Sequence, residues 1–322
     1  MNNPILCVKD LEKTFQVRTG MFGKQGIIHA VNHVSVELAR GETLGLVGES
    51  GCGKSSLGRT KLKVYEPDSG TILFDGNDIT TLSREQMRPY RKRMQMIFQD
   101  PYASLNPRFT IGEMIAEPMK IYNIGSAGER AERVKALLKT VGLRPDHSTR
   151  YPHEFSGGQR QRIGIARALS LDPDFMVCDE PISALDVSIQ AQIVNLLEEI
   201  QAKRNISYLF IAHDITMVQH ISHRIGVMYM GSLVEVGNAD EICNDPLHPY
   251  TKALISAVPR PDPRKERERT VLKLPGETPS PLNLPAGCPF SLRCRYASKR
   301  CREEMPQLRQ VSGRTVACHL VS

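Results

Sequence analysis

The chain has 322 residues, of which 40% are hydrophobic and 24% are charged, the proportions of an ordinary globular protein. This length allows one large domain with an appendage, or two smaller domains. The sequence has no apolar run of about 18 residues and no basic N-terminal segment followed by an apolar one. We therefore expect neither a transmembrane helix nor a signal peptide, and a location in the cytoplasm.

The net charge of +7 comes from the C-terminal end of the chain. Residues 259–322 contain 13 Lys or Arg and 6 Asp or Glu, so the preceding residues are neutral overall. A nucleic-acid binder needs a basic face on its folded body. The charge distribution therefore argues against a nucleic-acid partner.

Short apolar segments that alternate with helical patterns predict an α/β core around a mainly parallel sheet. Predicted strands at 5–8 and 34–38, with a hairpin turn at 74–77, indicate a separate antiparallel layer. The predicted core strands are 43–47, 94–98, 175–178, 208–212 and 225–230, and the clearest helix is Val187–Arg204. A helical subdomain at about 105–165 is inserted into the sheet.

The first domain is predicted to end near residue 258. Residues 259–322 are predicted to form a small extension, which begins with a charged, proline-rich linker at 259–269 and contains four of the eight cysteines.

A phosphate-binding loop is predicted directly after the strand at 43–47. It consists of Gly48, Glu49, Ser50, Gly51, Cys52, Gly53, Lys54 and Ser55, and Ser56 continues into a helix. Glycines let the backbone curl so that its N–H groups surround an anion at a helix N-terminus. Lys54 would neutralise the β- and γ-phosphates of a nucleotide, and the Ser55 hydroxyl would bind Mg²⁺. The loop predicts a nucleotide site without fixing a function, because several classes of enzyme share it.

Two acidic residues, Asp179 and Glu180, end the apolar strand that begins at Phe175. Carboxylates at the carboxyl end of a buried strand lie where α/β proteins bind ligands. Asp179 would help to hold Mg²⁺, and Glu180 would polarise the attacking water.

A second anion-binding loop is formed by Ser156, Gly157, Gly158 and Gln159, which precede a helix. One chain cannot easily turn two such loops onto the same γ-phosphate. We therefore expect a head-to-tail dimer, in which this loop closes on the nucleotide of the partner.

These motifs, in this order, resemble the ATP-binding-cassette (ABC) family, over about residues 4–258. The resemblance implies a P-loop NTPase fold with a RecA-like parallel core, an antiparallel β layer and an inserted helical subdomain. It also implies roles for four further residues. Gln99 would sense the γ-phosphate and contribute to the Mg²⁺ site, and His213 would be the switch histidine. Asp186 would lie in the loop that communicates across the dimer, and Phe15 would stack on adenine, where the family usually has tyrosine.

The C-terminal part resembles the extension of oligopeptide and dipeptide import ATPases, at residues 245–254 and 275–281. Nickel and glutathione importers share this extension, so these cargoes stay open beside peptides. The resemblance implies a second ABC ATPase, identical or related, two transmembrane permeases and an extracytoplasmic solute-binding protein as partners. It places the chain peripherally on the cytoplasmic face of the cell (inner) membrane.

The late cysteines Cys288, Cys294, Cys301 and Cys318 are spaced too widely for the paired pattern of a structural zinc site. Four thiolates on longer loops suit a [4Fe–4S] cluster, and the resemblance to peptide importers implies such a cluster at these cysteines. Zinc and free thiols are the alternatives.

Two other functions remain open on the sequence. A soluble ABC ATPase of translation or DNA repair usually has two cassettes or a long insertion, and this chain has neither. An ABC exporter subunit is disfavoured by the separate-chain layout and by the extension.

Overall fold

The computed structural model of the chain describes residues 3–18, 25–259, 271–272, 274–276, 279–280, 282 and 284–321. The described chain forms two compact units. The first contains residues 3–5, 39–42 and 81–212, and the second contains residues 6–38, 43–80 and those from His213 onward.

Strands and helices alternate along much of the described chain. The strands are β1 (Leu6–Arg18), β2 (Gln25–Leu38), β3 (Thr43–Val47), β4 (Ser69–Phe74), β5 (Asn77–Asp78), β6 (Met94–Ile97), β7 (Phe175–Asp179), β8 (Ser207–Ile211), β9 (Arg224–Tyr229), β10 (Ser232–Asn238), β11 (Arg309–Val311) and β12 (Arg314–Val316). The helices are α1 (Lys54–Lys61), α2 (Arg88–Arg93), α3 (Ile111–Ile121), α4 (Ala127–Thr140), α5 (Gly157–Leu169), α6 (Val187–Arg204), α7 (Ile215–Ile221), α8 (Ala239–Asn244), α9 (Pro249–Ser256) and α10 (Lys299–Glu303).

In the first unit, β6, β7 and β8 are parallel neighbours. All five residues of β7 are buried, as expected for a parallel strand that is covered on both faces. Helices α3, α4 and α5 lie between β6 and β7 in the chain and form the predicted helical insertion.

The helices of this insertion begin at residues that the sequence suits to helix starts. Each has a capping box, in which the N-cap hydroxyl and the side chain three residues later each accept a backbone N–H. The pairs are Thr110 with Glu113, Ser126 with Glu129, and Ser156 with Gln159. The third box coincides with the second predicted anion-binding loop.

In the second unit, β2, β1, β4 and β5 form the predicted antiparallel layer, in that order. Phe74 pairs with Asn77 at the predicted hairpin. Strand β1 is longer than the predicted 5–8 segment, because polar residues hide its pattern and the register shifts between Val8 and Leu11. Asp10 within this irregular stretch has a φ of 49°.

Strands β3 and β9 of the second unit are parallel, whereas β10 is antiparallel to β9. The extension contributes the hairpin β11–β12, and β12 pairs with β10 through Glu235 and Val316. Strands of three residues are too short for periodicity to reveal, so the sequence did not predict them. The predicted core strands are parallel wherever they pair with one another, as expected, and β10, β11 and β12 add antiparallel pairs in the second unit.

The clearest predicted helix, Val187–Arg204, is confirmed at both ends. Residues 260–269 of the predicted linker lie outside the described residues, and the domain boundary near 258 stays a prediction. Among the described residues, we find no helix with the length and apolarity needed to span a bilayer.

Candidate nucleotide-binding site

The segment between β3 and α1 has backbone geometry that requires glycine at two positions. A Cβ on Gly48 would lie 2.2 Å from the carbonyl oxygen of Met228, and a Cβ on Gly53 would lie 2.0 Å from that of Ala30. Gly53 and Gly51 also have φ of 106° and 76°, which glycine adopts without strain. The loop therefore depends on close backbone approach at Gly48 and Gly53.

Lys54 lies inside this loop and is 5% exposed. Its Nζ donates to the carbonyl oxygens of Gly48 at 2.8 Å and Glu49 at 3.0 Å. The N-cap of α1 is Gly53, which has no side chain to accept the first N–H groups of the helix. These groups, with Ser55 and Ser56 half-buried beside them, favour an anion at this end of the helix.

Glu49 is held by two residues that sequence reasoning did not assign to the site. Its backbone N donates to the hydroxyl of Tyr250 at 2.9 Å. Its carboxylate oxygens accept hydrogen bonds from Nη1 of Arg293 at 3.0 and 2.9 Å. The sequence indicated Tyr250 only within the family extension at residues 245–254, and it gave no role at this site to Arg293. No periodicity or spacing could have paired residues 244 positions apart.

The acidic pair lies at the end of β7. Asp179 is fully buried, and Glu180 is half-buried with a φ of 48°. The Glu180 N donates to the carbonyl oxygen of Ile211 at 2.9 Å, which fixes this left-handed conformation. Nε2 of Gln99 donates to Oε2 of Glu180 at 2.8 Å. The structure thus joins two residues that were predicted separately.

The segment after Gln99 is also joined to the second anion-binding loop. The guanidinium of Arg160 lies 4.0 Å from the ring centroid of Tyr102, and its Nε donates to the carbonyl oxygen of Pro152 at 2.8 Å. Tyr102 is 62% exposed and Phe98 is 44% exposed. The exposed ring of Tyr102 is therefore attached to the first turn of α5 through Arg160.

The four residues of the second loop form the N-terminal turn of α5. Ser156 is exposed, and its Oγ and the Gln159 side chain form the capping box within the chain. A Cβ on Gly158 would lie 2.5 Å from Cγ2 of Ile189 on α6. Gly157 approaches Leu185, at 3.5 Å from its would-be Cβ to Cδ2. Gly158 thus allows close approach of α5 to Ile189, whereas a Cβ at Gly157 would make an ordinary van der Waals contact with Leu185.

Three other predicted residues lie at element ends or on strands. His213 is exposed and follows β8, and the next residue, Asp214, caps α7 through Thr216 N at 2.9 Å. Asp186 is exposed at the N-cap of α6. Phe15 is half-buried on β1 with its ring edge on Tyr65, at a centroid distance of 5.2 Å.

The predicted site residues fall into two groups. The phosphate loop, Phe15 and His213 belong to the second unit, and Gln99, Asp179, Glu180, Asp186 and the loop at 156–159 belong to the first.

The four late cysteines are free thiols in mutual electrostatic contact. Cys288, Cys301 and Cys318 are buried, and Cys294 is half-buried. Burial raises the pKa of the Cys288 thiol to about 11, and the other three cysteines add to this rise. Within the described part of the chain, no group of three or more His, Cys, Asp or Glu side chains has the proximity of a metal-ion site.

The family comparisons agree with the motifs. Residues 31–183 match the family described as ABC transporter, and residues 234–301 match the one described as oligopeptide/dipeptide transporter, C-terminal region. The oligopeptide transport ATP-binding protein AppF of Bacillus subtilis is 53% identical over 99% of this chain and 98% of its own length. The di/tripeptide transport ATP-binding protein DppF of Pseudomonas aeruginosa is 48% identical over 98% of this chain and 97% of its own.

Solved structures share the fold. CbiO1 of Clostridium perfringens, part of the ABC transporter complex cbiONQ, is 28% identical with a TM-score of 0.65 over 76% of this chain and 92% of its own. The ATP-binding cassette MJ0796, a dimer in a post-hydrolysis state bound to ADP and Pi, is 26% identical with a TM-score of 0.65 over 73% of this chain and 98% of its own. The chain therefore belongs to the ABC transporter family, as an ATP-binding protein with the oligopeptide/dipeptide-type C-terminal region.

Proposed function

We propose that this chain is the ATP-hydrolysing subunit of an ABC importer that drives peptides across the cytoplasmic membrane. The observation that carries the ATPase assignment is the phosphate loop, in which Gly48 and Gly53 approach neighbouring backbone too closely for any side chain. The similarity to AppF and DppF over nearly their whole length supports the peptide cargo.

The loop at 48–55 would bind the phosphates of ATP. Lys54 already lies among the loop carbonyls, and its ammonium would turn to the β- and γ-phosphates. The Ser55 hydroxyl, the buried Asp179 carboxylate and Gln99 have the oxygen ligands that Mg²⁺ prefers. Bound Mg²⁺ would supply charge neutralisation on the phosphates, and Phe15 would offer an apolar surface to adenine.

Hydrolysis would depend on Glu180. Its carboxylate would take a proton from the water that attacks the γ-phosphate, and the Gln99 amide, at 2.8 Å, would hold that carboxylate in place. His213, exposed after β8, would contact the γ-phosphate and sense its loss.

A second ATPase subunit, identical or related, would complete the site. Ser156 is exposed at the start of α5, a helix of 13 residues whose N-terminus favours an anion. In a head-to-tail dimer this loop, with Asp186, would close on the nucleotide of the partner. The dimeric state of MJ0796 supports this arrangement.

Two transmembrane permeases would receive the conformational change that accompanies closure and reopening of the dimer. The chain would lie on the cytoplasmic face of the membrane, and a solute-binding protein would deliver the cargo from outside. Tyr102 and Phe98 provide exposed aromatic surface near Gln99 in the chain, and the Arg160 contact attaches Tyr102 to α5. A change at Gln99 would therefore reach both the permease surface and the partner loop.

The four late cysteines would hold a [4Fe–4S] cluster. Burial, with the neighbouring thiols, raises the pKa values of Cys288 and Cys294, and cationic iron stabilises such thiols as thiolates. Bound to them, the cluster would supply a covalent cross-link among segments of the extension.

Reconstitution of the chain in proteoliposomes, with its two permeases and the solute-binding protein, tests the function. We expect ATP-dependent peptide accumulation that the Glu180→Gln variant loses. Uptake of nickel or glutathione with no peptide uptake would replace the cargo assignment. Purification with ribosomes or DNA, and with no membrane protein, would contradict a transport role.

A further inference from the structure

The C-terminal extension reaches the phosphate loop through one side chain. Nη1 of Arg293 donates to both carboxylate oxygens of Glu49, at 3.0 and 2.9 Å. The Arg293 side chain is 9% exposed and that of Glu49 is 26% exposed, so water screens this pair only partly. The contact lies within the second compact unit.

Arg293 is held in place by a tight turn of the extension. The Ser291 N donates to the Cys288 carbonyl at 2.9 Å, and the Arg293 N donates to the Phe290 carbonyl at 3.0 Å. Nε of Arg293 also donates to the Pro275 carbonyl at 3.3 Å. Because its backbone N–H and its Nε are both hydrogen-bonded, the Arg293 side chain is directed at the Glu49 carboxylate.

The same turn is fastened to the body by an aromatic cluster. Phe290 is 2% exposed, with its ring centroid 5.3 Å from Tyr229 and 5.4 Å from Tyr250. Tyr250 in turn accepts the Glu49 N–H at 2.9 Å. The extension therefore touches Glu49 both directly and through Tyr250.

Glu49 needs such a partner because of where it lies. It is the second residue of a loop that would receive several negative charges, and an uncompensated carboxylate there would repel them. Its carbonyl already accepts from Lys54 at 3.0 Å, so a movement of Glu49 would also disturb the phosphate-binding lysine.

We propose that Arg293 is a positioning residue of the nucleotide site, which neutralises Glu49 and holds it away from the phosphates. The extension thereby contributes to the affinity for ATP. This inference rests on the proposed assignment of the loop at 48–55 as the phosphate site.

The test measures the dissociation constant of MgATP for the full-length chain and three variants. Arg293→Met should weaken binding about tenfold, which corresponds to about 1.4 kcal/mol. Glu49→Gln alone should tighten binding about threefold, because it removes the carboxylate and leaves the Arg293 charge beside the phosphates. The double variant should recover most of the loss, because it carries no uncompensated carboxylate.

Two controls separate the possible failures. Arg302→Met removes an exposed arginine of the same extension and should not change binding. Lys54→Ala should abolish binding, and normal affinity in that variant would refute the phosphate-site assignment itself.

The rescue by Glu49→Gln decides the inference. Wild-type affinity in Arg293→Met would overturn it. A double variant as weak as Arg293→Met would overturn it too, because Arg293 would then act only by maintaining the fold. Partial retention of affinity by Arg293→Lys, with unchanged melting temperature, would support the charge-based role.

Discussion

Nε2 of Gln99 donates a hydrogen bond to Oε2 of Glu180 at 2.8 Å, although the two residues are 81 positions apart. Gln99 follows β6 and Glu180 follows β7, and these strands are parallel neighbours. Their carboxyl ends therefore lie at one edge of the sheet, which brings the two side chains together. We expect this contact to orient the proposed general base, a role for Gln99 in addition to its proposed sensing of the γ-phosphate.

Glu180→Gln should bind MgATP normally and lower the hydrolysis rate at least about 100-fold, the usual contribution of a general base. Gln99→Ala should lower the rate less, about tenfold, because the carboxylate remains but is no longer oriented. Phosphate release under saturating ATP measures both. Gln95→Ala, on β6 and with its amide on the Arg91 carbonyl, is the matched control and should hydrolyse normally. Near-normal turnover of Glu180→Gln would show that Glu180 is not the general base.

The phosphate loop offers a matched pair of glycine variants. Gly53→Ala should destabilise the loop and abolish MgATP binding, because its Cβ would lie 2.0 Å from the Ala30 carbonyl oxygen. Gly51 also has a positive φ, but nothing lies within 4 Å of a Cβ placed on it, so Gly51→Ala would meet no clash. It should cost only about 1 kcal/mol of unfolding free energy, from the left-handed conformation. Urea unfolding and nucleotide titration compare the two, and equal effects would contradict the close-approach argument.

The sequence predicted those parts of the site in which the chemistry is local. A phosphate loop is one continuous segment, so Gly48, Gly53 and Lys54 could be assigned from spacing alone. The buried run of β7 likewise predicted the position of Asp179 and Glu180. The helix Val187–Arg204 was found at its true ends because its apolar face repeats over 18 residues.

The parts that the sequence did not predict depend on contacts between distant segments. Arg293 and Tyr250 reach Glu49 from the C-terminal region, and Arg160 reaches Tyr102 across the helical insertion. Local patterns carry no information about such pairs. The hairpin β11–β12 was missed for another reason, since three residues per strand give no alternation to detect.

The late cysteines predict a coloured protein. Anaerobically purified chain should be brown and contain about four iron atoms, the content of one [4Fe–4S] cluster. Cys301→Ser should lose the colour and the iron, because it removes one of the four thiolates that the cluster would need, and that thiol is buried. Cys243→Ser, a cysteine of α8 outside this group, is the control and should keep both. Colourless protein with stoichiometric zinc, or with no metal, would contradict the cluster.

Lys61 predicts a stability that rises with pH. It is 1% exposed, and burial lowers the pKa of its ammonium to about 7. The unfolded chain binds this proton at a pH below about 10.5, whereas the folded chain does not until about 7. The free energy of unfolding should therefore fall as pH drops through this window and then level off.

Lys61→Met should raise the free energy of unfolding at pH 7 by about 2–4 kcal/mol and flatten its slope between about pH 7 and 10. Lys63→Met is the control, because Lys63 is equally buried but paired with Glu66 at 2.9 Å. That variant should not gain stability. Urea unfolding at several pH values measures both, and a destabilised Lys61→Met would show that the ammonium is compensated.

His248 predicts a loss of stability in mild acid. It is 1% exposed, and burial lowers the pKa of its imidazole to about 3. Its Nδ1 accepts the Tyr250 N–H at 3.0 Å, so the folded state needs the neutral ring. The unfolded chain takes up this proton as pH falls below about 6.5, while the folded chain does not until about 3. The stability that this group contributes is thus complete above about pH 6.5 and lost progressively below it, by about 2 kcal/mol at pH 5.

His248→Asn keeps a side-chain acceptor for Tyr250 N and should remove the part of the acid destabilisation that His248 causes. Urea unfolding at pH 5 and 7.5 measures it. An unchanged difference between the two pH values would show that His248 is not the group that titrates.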